Sequence, residues 1–263
     1  MPVSEVNGVE LYWERAGSGA RLLFCNGSGS TMADAQPLLG ALAGRFDLLA
    51  WDYRGLGRSG PVAGSYRMAD LAADAVGLLE LVGWSTCRVV GVSFGGMVAQ
   101  ELAVTDPGRL ERLALVCTSA GGQGGSSYPL HRLLELSPQE RAAIGLKITD
   151  SRWDDRWLAG HPGDRALAER LAARHDPASA AGVRAQLLAR ADHDVWERLD
   201  AVTCPTLVAY GRYDGIAPAQ NSTAIASRIP GADLRGYEGG HLFLAQDPAA
   251  MPELVTFLRS PAS

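Results

Sequence analysis

Val89-Val90-Gly91-Val92-Ser93-Phe94-Gly95-Gly96-Met97-Val98 is the stretch on which the reading of this chain turns. A β-branched run enters a glycine-bracketed serine, and an apolar-periodic segment leaves it, which is the pattern of strand, sharp turn and helix. A serine at such a turn takes up a strained backbone conformation that pushes its hydroxyl out of the fold. Gly91 and Gly95, two residues to either side, leave room for the turn. The helix opening at Phe94 aims free N–H groups and its positive dipole end at the serine oxygen. The glycine–serine stretches at 27–30, 57–60 and 121–127 do not repeat the spacing. Taken alone, a tight turn without chemistry accounts for the pattern equally well. What lies downstream decides between the two.

Around this stretch, 263 residues with 47% hydrophobic and 20% charged side chains fit one α/β domain with an insertion and a large core. A net charge of -5 gives no electrostatic footprint for nucleic acid. Cys25, Cys87, Cys117 and Cys204 are scattered without metal-ligand spacing and read as buried thiols. Residues Met1 to Gly19 hold no apolar signal core, and no stretch is long enough to span a membrane. The expectation is a cytoplasmic monomer or homodimer with no membrane partner and neither cofactor nor metal.

Asn7-Gly8, between Val3–Val6 and Val9–Glu14, is a strong hairpin signal, so an antiparallel pair opens the sheet. Arg21–Cys25 is a doubly covered strand, and it ends in the small-residue loop Asn26-Gly27-Ser28-Gly29-Ser30. A helix over Gln36–Ala43 and a strand over Phe46–Trp51 follow, then the polar loop Asp52-Tyr53-Arg54-Gly55-Leu56-Gly57-Arg58-Ser59. That loop reads as structural, Asp52 and Arg54 tying neighbouring loops together. Asp70–Val82 is helical, and Leu110–Cys117 is the next buried strand. Alternating strands and helices predict a mostly parallel central sheet with helices on both faces, an α/β fold.

From 121 to 196 the pattern changes. Leu130–Leu136, Pro138–Leu146, Arg165–Arg174 and Ala178–Ala191 read as short helices with no strand among them. This is a helical insertion in a core formed by 1–120 and 197–263. The sheet resumes at Pro205–Gly211, and a helix over Ala219–Arg228, a strand over Ala232–Tyr237 and a helix over Pro248–Leu258 complete it.

An activated serine needs a base within reach and an acid to orient that base, each at the C-terminal edge of a strand. Asp214 follows the strand 205–211 by three residues, and His241 follows the final strand in Gly240-His241-Leu242. The other histidines, His131, His161, His175 and His193, all precede Asp214. An Asp in a Gly-Pro turn or a loop His says little alone. Three residue types at three strand ends in the order Ser, Asp, His say much more. The strand before the insertion ends in Thr118-Ser119 and offers no rival carboxylate.

With Asp52–Ser59, Gly91–Gly96, Gly211–Pro218 and Gly240-His241 in place, the sequence resembles the α/β-hydrolases over essentially the whole chain outside the insertion. Ser93 to Ala103 is similar to the 3-oxoadipate enol-lactonase and small-molecule esterase branch. The resemblance implies a Ser93–His241–Asp214 triad under a helical lid (cap). Where many members have His-Gly after the first parallel strand, this chain has Asn26-Gly27, as enol-lactonases often do. By position, the Ser28 and Phe94 amides form the oxyanion hole. Asn26, Tyr128, Leu130, Trp153 and Trp157 are candidates for the substrate wall, although tryptophans in short helices are more often lid core. Arg132, Arg152 and Arg156 are candidates for an acidic substrate.

The expected activity is hydrolysis of a small-molecule ester or lactone, with a His241 pKa near about 6.5. Carbon–carbon bond hydrolysis and perhydrolysis of the cofactor-free haloperoxidase kind use the same triad. A lidded receptor without catalysis is the remaining reading, and the intact triad argues against it.

Overall fold

The computed structural model describes residues 3–173 and 180–261. Two continuous strands open it. β1 (Val3–Val6) pairs antiparallel with β2 (Val9–Gly17), closed by Asn7 and Gly8, both at positive φ. Apolar runs buried on both sides then form the parallel strands: β3 (Arg21–Cys25), β4 (Asp47–Trp51), β5 (Cys87–Val92), β6 (Leu110–Val116), β7 (Thr206–Gly211) and β8 (Asp233–Tyr237). The eight strands lie in the order β1-β2-β4-β3-β5-β6-β7-β8, with β2 antiparallel to β4 and β3 to β8 mutually parallel.

Helices cover both faces. On one, α2 (Met68–Leu81) and α3 (Phe94–Thr105) join Leu23, Leu49, Val89, Leu113 and Val208 in the larger apolar cluster. On the other, α1 (Gln36–Ala43) and the C-terminal helix pack against Leu22, Val90, Val116 and Leu207. The expected strands form, and β2 runs on three residues past its expected end at Glu14, to Gly17. The Asp52–Ser59 loop is structural in a more divided way than its charges suggest. Asp52 accepts from the Met32 and Arg58 amides, whereas Arg54 forks onto the buried Asp74 of α2.

Between β6 and β7 the described residues form helices only: a 3-10 segment at Leu130–Glu135, α4 (Pro138–Thr149), α5 (Asp155–Gly160), α6 (Pro162–Ala172) and α7 (Ala180–Ala191). Leu130–Leu136 winds as 3-10 rather than α. Helix α5, held by the Asp154 N-cap on the Trp157 amide, was absent from the pattern because six residues carry too little periodicity. Arg174 and the 178–179 start of the following helix lie outside the described residues. A 2.9 Å bond from the Val195 amide to the Ala120 carbonyl closes the neck of the insertion. Past it come a 3-10 segment at Trp196–Ala201, α8 (Ala219–Arg228), α9 (Phe243–Gln246) and α10 (Ala250–Arg259). The terminal helix expected over Pro248–Leu258 is α10, begun two residues later; the short α9 before it was not expected, and the two are separated at Asp247-Pro248, since proline disfavours the α conformation of the residue before it.

Candidate active site

Ser93 caps α3 at φ 55°, ψ −115°, a conformation that costs a non-glycine residue about 1–3 kcal/mol. Three hydrogen bonds over-determine it. The Ser93 amide donates to the Val116 carbonyl, and its own carbonyl accepts from the Gly96 amide and the Thr118 hydroxyl. The flanking glycines serve close approach. A Cβ on Gly91 would run into the Gly95 carbonyl, and one on Gly95 into the Cys25 carbonyl. The turn thereby brings the N-terminus of α3 hard against the end of β3 and its loop. A Cβ built on Gly27 would lie 3.9 Å from the Ser93 Cβ.

Ser28 lies in that loop, and Phe94 opens α3. Among the described residues neither backbone N–H meets an acceptor. Asn26 turns its side chain back on its own loop, accepting from the Gly27 amide and donating to the Thr31 carbonyl. It braces the loop.

Base and acid meet. His241 Nδ1 lies 2.7 Å from Asp214 Oδ2, and the other carboxylate oxygen accepts from the Ile216 and Ala217 amides. Three partners thus hold the Asp214 carboxylate and spread its charge over donors. Burial by itself would lower the imidazole, but the Asp214 carboxylate and the Cys117 thiol outweigh it and hold His241 well above the ordinary histidine range. The expected value near 6.5 is corrected upwards. Ser93 Oγ makes no hydrogen bond to the imidazole among the described residues. In a free enzyme such contacts are often long and tighten only around substrate.

Three groups near this pair were not singled out as site residues in the sequence. Cys117 ends β6 at φ 43°, and its sulfur, an Asp214 oxygen and a His241 nitrogen all lie within 4.8 Å of one another. Its position directly after a strand was the available signal, while its left-handed backbone was not legible. Arg190 of α7 is 6% exposed and pushed down to about 10 by burial, against the pull of Asp214. Its NH1 donates to the Tyr128 carbonyl. Gln246, half-buried, bonds to Gly240 beside His241 and to Asp150 and Asp164 of the insertion.

Of the proposed wall residues, Tyr128 is tied through its amide to the Ile216 carbonyl on the acid loop, and Leu130 is half-buried beside it. Trp153 is buried. Trp157 stacks on His161, donates to Asp164 and carries the Arg152 guanidinium on its ring. Arg152 is committed to Asp150, and Arg132 and Arg156 are exposed.

A family model described as serine aminopeptidase, S33, matches residues 17–241. The chain belongs to this family, and it is an α/β-hydrolase. A relative from Azorhizobium caulinodans named carbamate hydrolase RutD is 28% identical over 97% of both chains. A thermophilic esterase from Thermogutta terrifontis superposes with a TM-score of 0.80 at 26% identity, covering 98% of this chain and 97% of its own. The enol-lactonase from Burkholderia xenovorans LB400 shares the fold at a TM-score of 0.82 and 22% identity, over 98% and 100%. As an S33-family α/β-hydrolase the chain is an enzyme. No helix among the described residues is long and apolar enough to cross a membrane.

Proposed function

We propose that the enzyme hydrolyses an ester or lactone of a small organic molecule through an acyl-enzyme on Ser93. The observation that carries this is the 2.7 Å contact of His241 Nδ1 with Asp214, itself held by two backbone amides, at the same sheet edge as the strained Ser93. The Nδ1 contact keeps that nitrogen protonated and leaves Nε2 as the base. Nε2 takes the Ser93 proton while Oγ attacks the carbonyl carbon. The oxyanion that forms meets the Ser28 and Phe94 amides, the latter at the positive end of α3. His241 then returns the proton to the leaving oxygen, and water repeats the cycle on the acyl-enzyme.

The esterase and carbamate hydrolase names among similar proteins support acyl chemistry, and a carbamate carbonyl passes through the same steps. The insertion, 121–196, is assigned substrate selection. It reaches the loops after β3, β4, β7 and β8: Gln186 accepts from Gly29, Gly182 packs on Gly55, and Tyr128 and Ile148 bond to the Asp214 loop.

A fluorophosphonate probe is expected to add one equivalent at Ser93 and to abolish turnover of p-nitrophenyl acetate, with Ser93→Ala losing both. Full labelling of Ser93→Ala, or none of the parent, refutes the reading. A panel of ester, enol-lactone, carbamate and vinylogous diketone substrates then separates hydrolysis of esters from carbon–carbon cleavage.

A further inference from the structure

The end of α4 and the residues after it, 148–152, thread between the acid loop and the base loop. The Gly215 amide donates to the Ile148 carbonyl at 2.9 Å, the His241 amide to the Thr149 carbonyl at 2.6 Å, and the Ser151 amide to the Tyr213 carbonyl at 2.9 Å. Each catalytic loop is therefore bonded to the same five residues of the insertion. Gly240 makes the approach possible, since a Cβ there would collide with the Thr149 carbonyl. Asp150, fully buried, has its carboxylate held by Arg152 and by Gln246 Nε2 at 2.8 Å. Gln246 also donates to Asp164 at 3.0 Å, and its Oε1 accepts from the Gly240 amide at 2.9 Å, one residue before the base. The Arg152 guanidinium lies over the Tyr213 ring, next to Asp214.

We propose that Gln246, with Asp150, is a positioning residue that locks the lid segment 148–152 between the two catalytic loops and so sets the register of His241 on Asp214. This rests on the Ser93–His241–Asp214 reading. The physical reason is donor and acceptor accounting. Gln246 is the one side chain among the described residues that satisfies the base-loop amide and two insertion carboxylates at once. Without it the Gly240 amide loses its acceptor, and the buried Asp150 charge loses a donor and pulls away from the histidine loop. A displacement of the imidazole by a fraction of an ångström to one ångström is enough to slow proton transfer without altering the pocket.

The test is Gln246→Met, close in size but without hydrogen-bonding atoms. Expected are a kcat lower by about ten- to a hundredfold, a KM within about threefold, and an acid limb of the rate profile moved down towards the ordinary histidine value. The downfield proton resonance of His241 Nδ1–H is expected to broaden or vanish by faster exchange. A merely structural glutamine lowers the melting temperature and moves neither the profile nor that resonance, which overturns the proposal. Should Gln246→Met not fold, Gln246→Glu, which keeps the acceptor for Gly240 but opposes Asp150, gives the same readings. A parent protein without ester turnover defeats the hydrolytic reading alone. The proton resonance of parent and variant still decides this one.

Discussion

At the scale of single residues, the site is a set of side chains held in positions that their own preferences oppose. Ser93 and Cys117 sit at positive φ on adjacent strand ends, and His241 is half-buried against two groups that raise its proton affinity. The sign follows directly. A raised pKa keeps the imidazole protonated, and unable to accept the Ser93 proton, to higher pH than a free histidine. The kcat/KM is therefore expected to climb with pH through a midpoint above about 6.5. A profile flat from about pH 6 to 8 with chemistry limiting, or a midpoint below 6, would contradict this. Asp214→Asn is expected to cut kcat by about 10⁴-fold, because asparagine donates to Nδ1 and favours the wrong tautomer. A loss smaller than tenfold would show that the acid is not Asp214.

At the scale of elements, the question is what the tryptophans of the insertion do. Trp157 lies in a closed set with His161, Asp164 and Arg152, and that set leads through Gln246 to the base loop. Trp157→Ala is expected to lower the melting temperature while leaving the ratio of kcat/KM for a bulky and a small p-nitrophenyl ester within about twofold. A ratio shifted several-fold would instead put the indole on the substrate. The elbow makes a sharper demand. Gly95→Ala forces a methyl into the Cys25 carbonyl, so β3 and α3 must separate. Urea unfolding is expected to show a loss of about 1–3 kcal/mol or more, with activity falling as the Ser28 and Phe94 amides move apart. Full retention of both would mean that the approach is looser than described.

At the scale of the whole molecule, one buried histidine ties stability to pH. His193, at the end of the insertion, is 7% exposed, its ring nitrogens have no partner among the described residues, and burial with Arg198 and Arg190 nearby pushes it down to about 3. Between that value and about 6.5 the unfolded chain takes up a proton that the folded chain refuses. Stability therefore falls as pH drops through this window, by up to about 1.4 kcal/mol per pH unit. His193→Leu is expected to flatten the loss between about pH 6 and pH 4 in denaturant titrations. An unchanged slope would show that the ring is solvated. The sequence by itself determined the hairpin at Asn7-Gly8, the parallel sheet, the elbow and the Ser, Asp, His order. These depend on local backbone chemistry: glycine tolerance, apolar runs and strand–turn–helix adjacency. Only the tertiary structure decided that Asn26 braces its loop, that Cys117 stands beside His241, that Trp157 is tied to Arg152 and Asp164, and that Gln246 bonds at once to Gly240, Asp150 and Asp164. Each is a contact between segments distant in the chain. Such contacts leave no periodicity to read, because they are fixed by how the insertion settles on the C-terminal edge of the sheet.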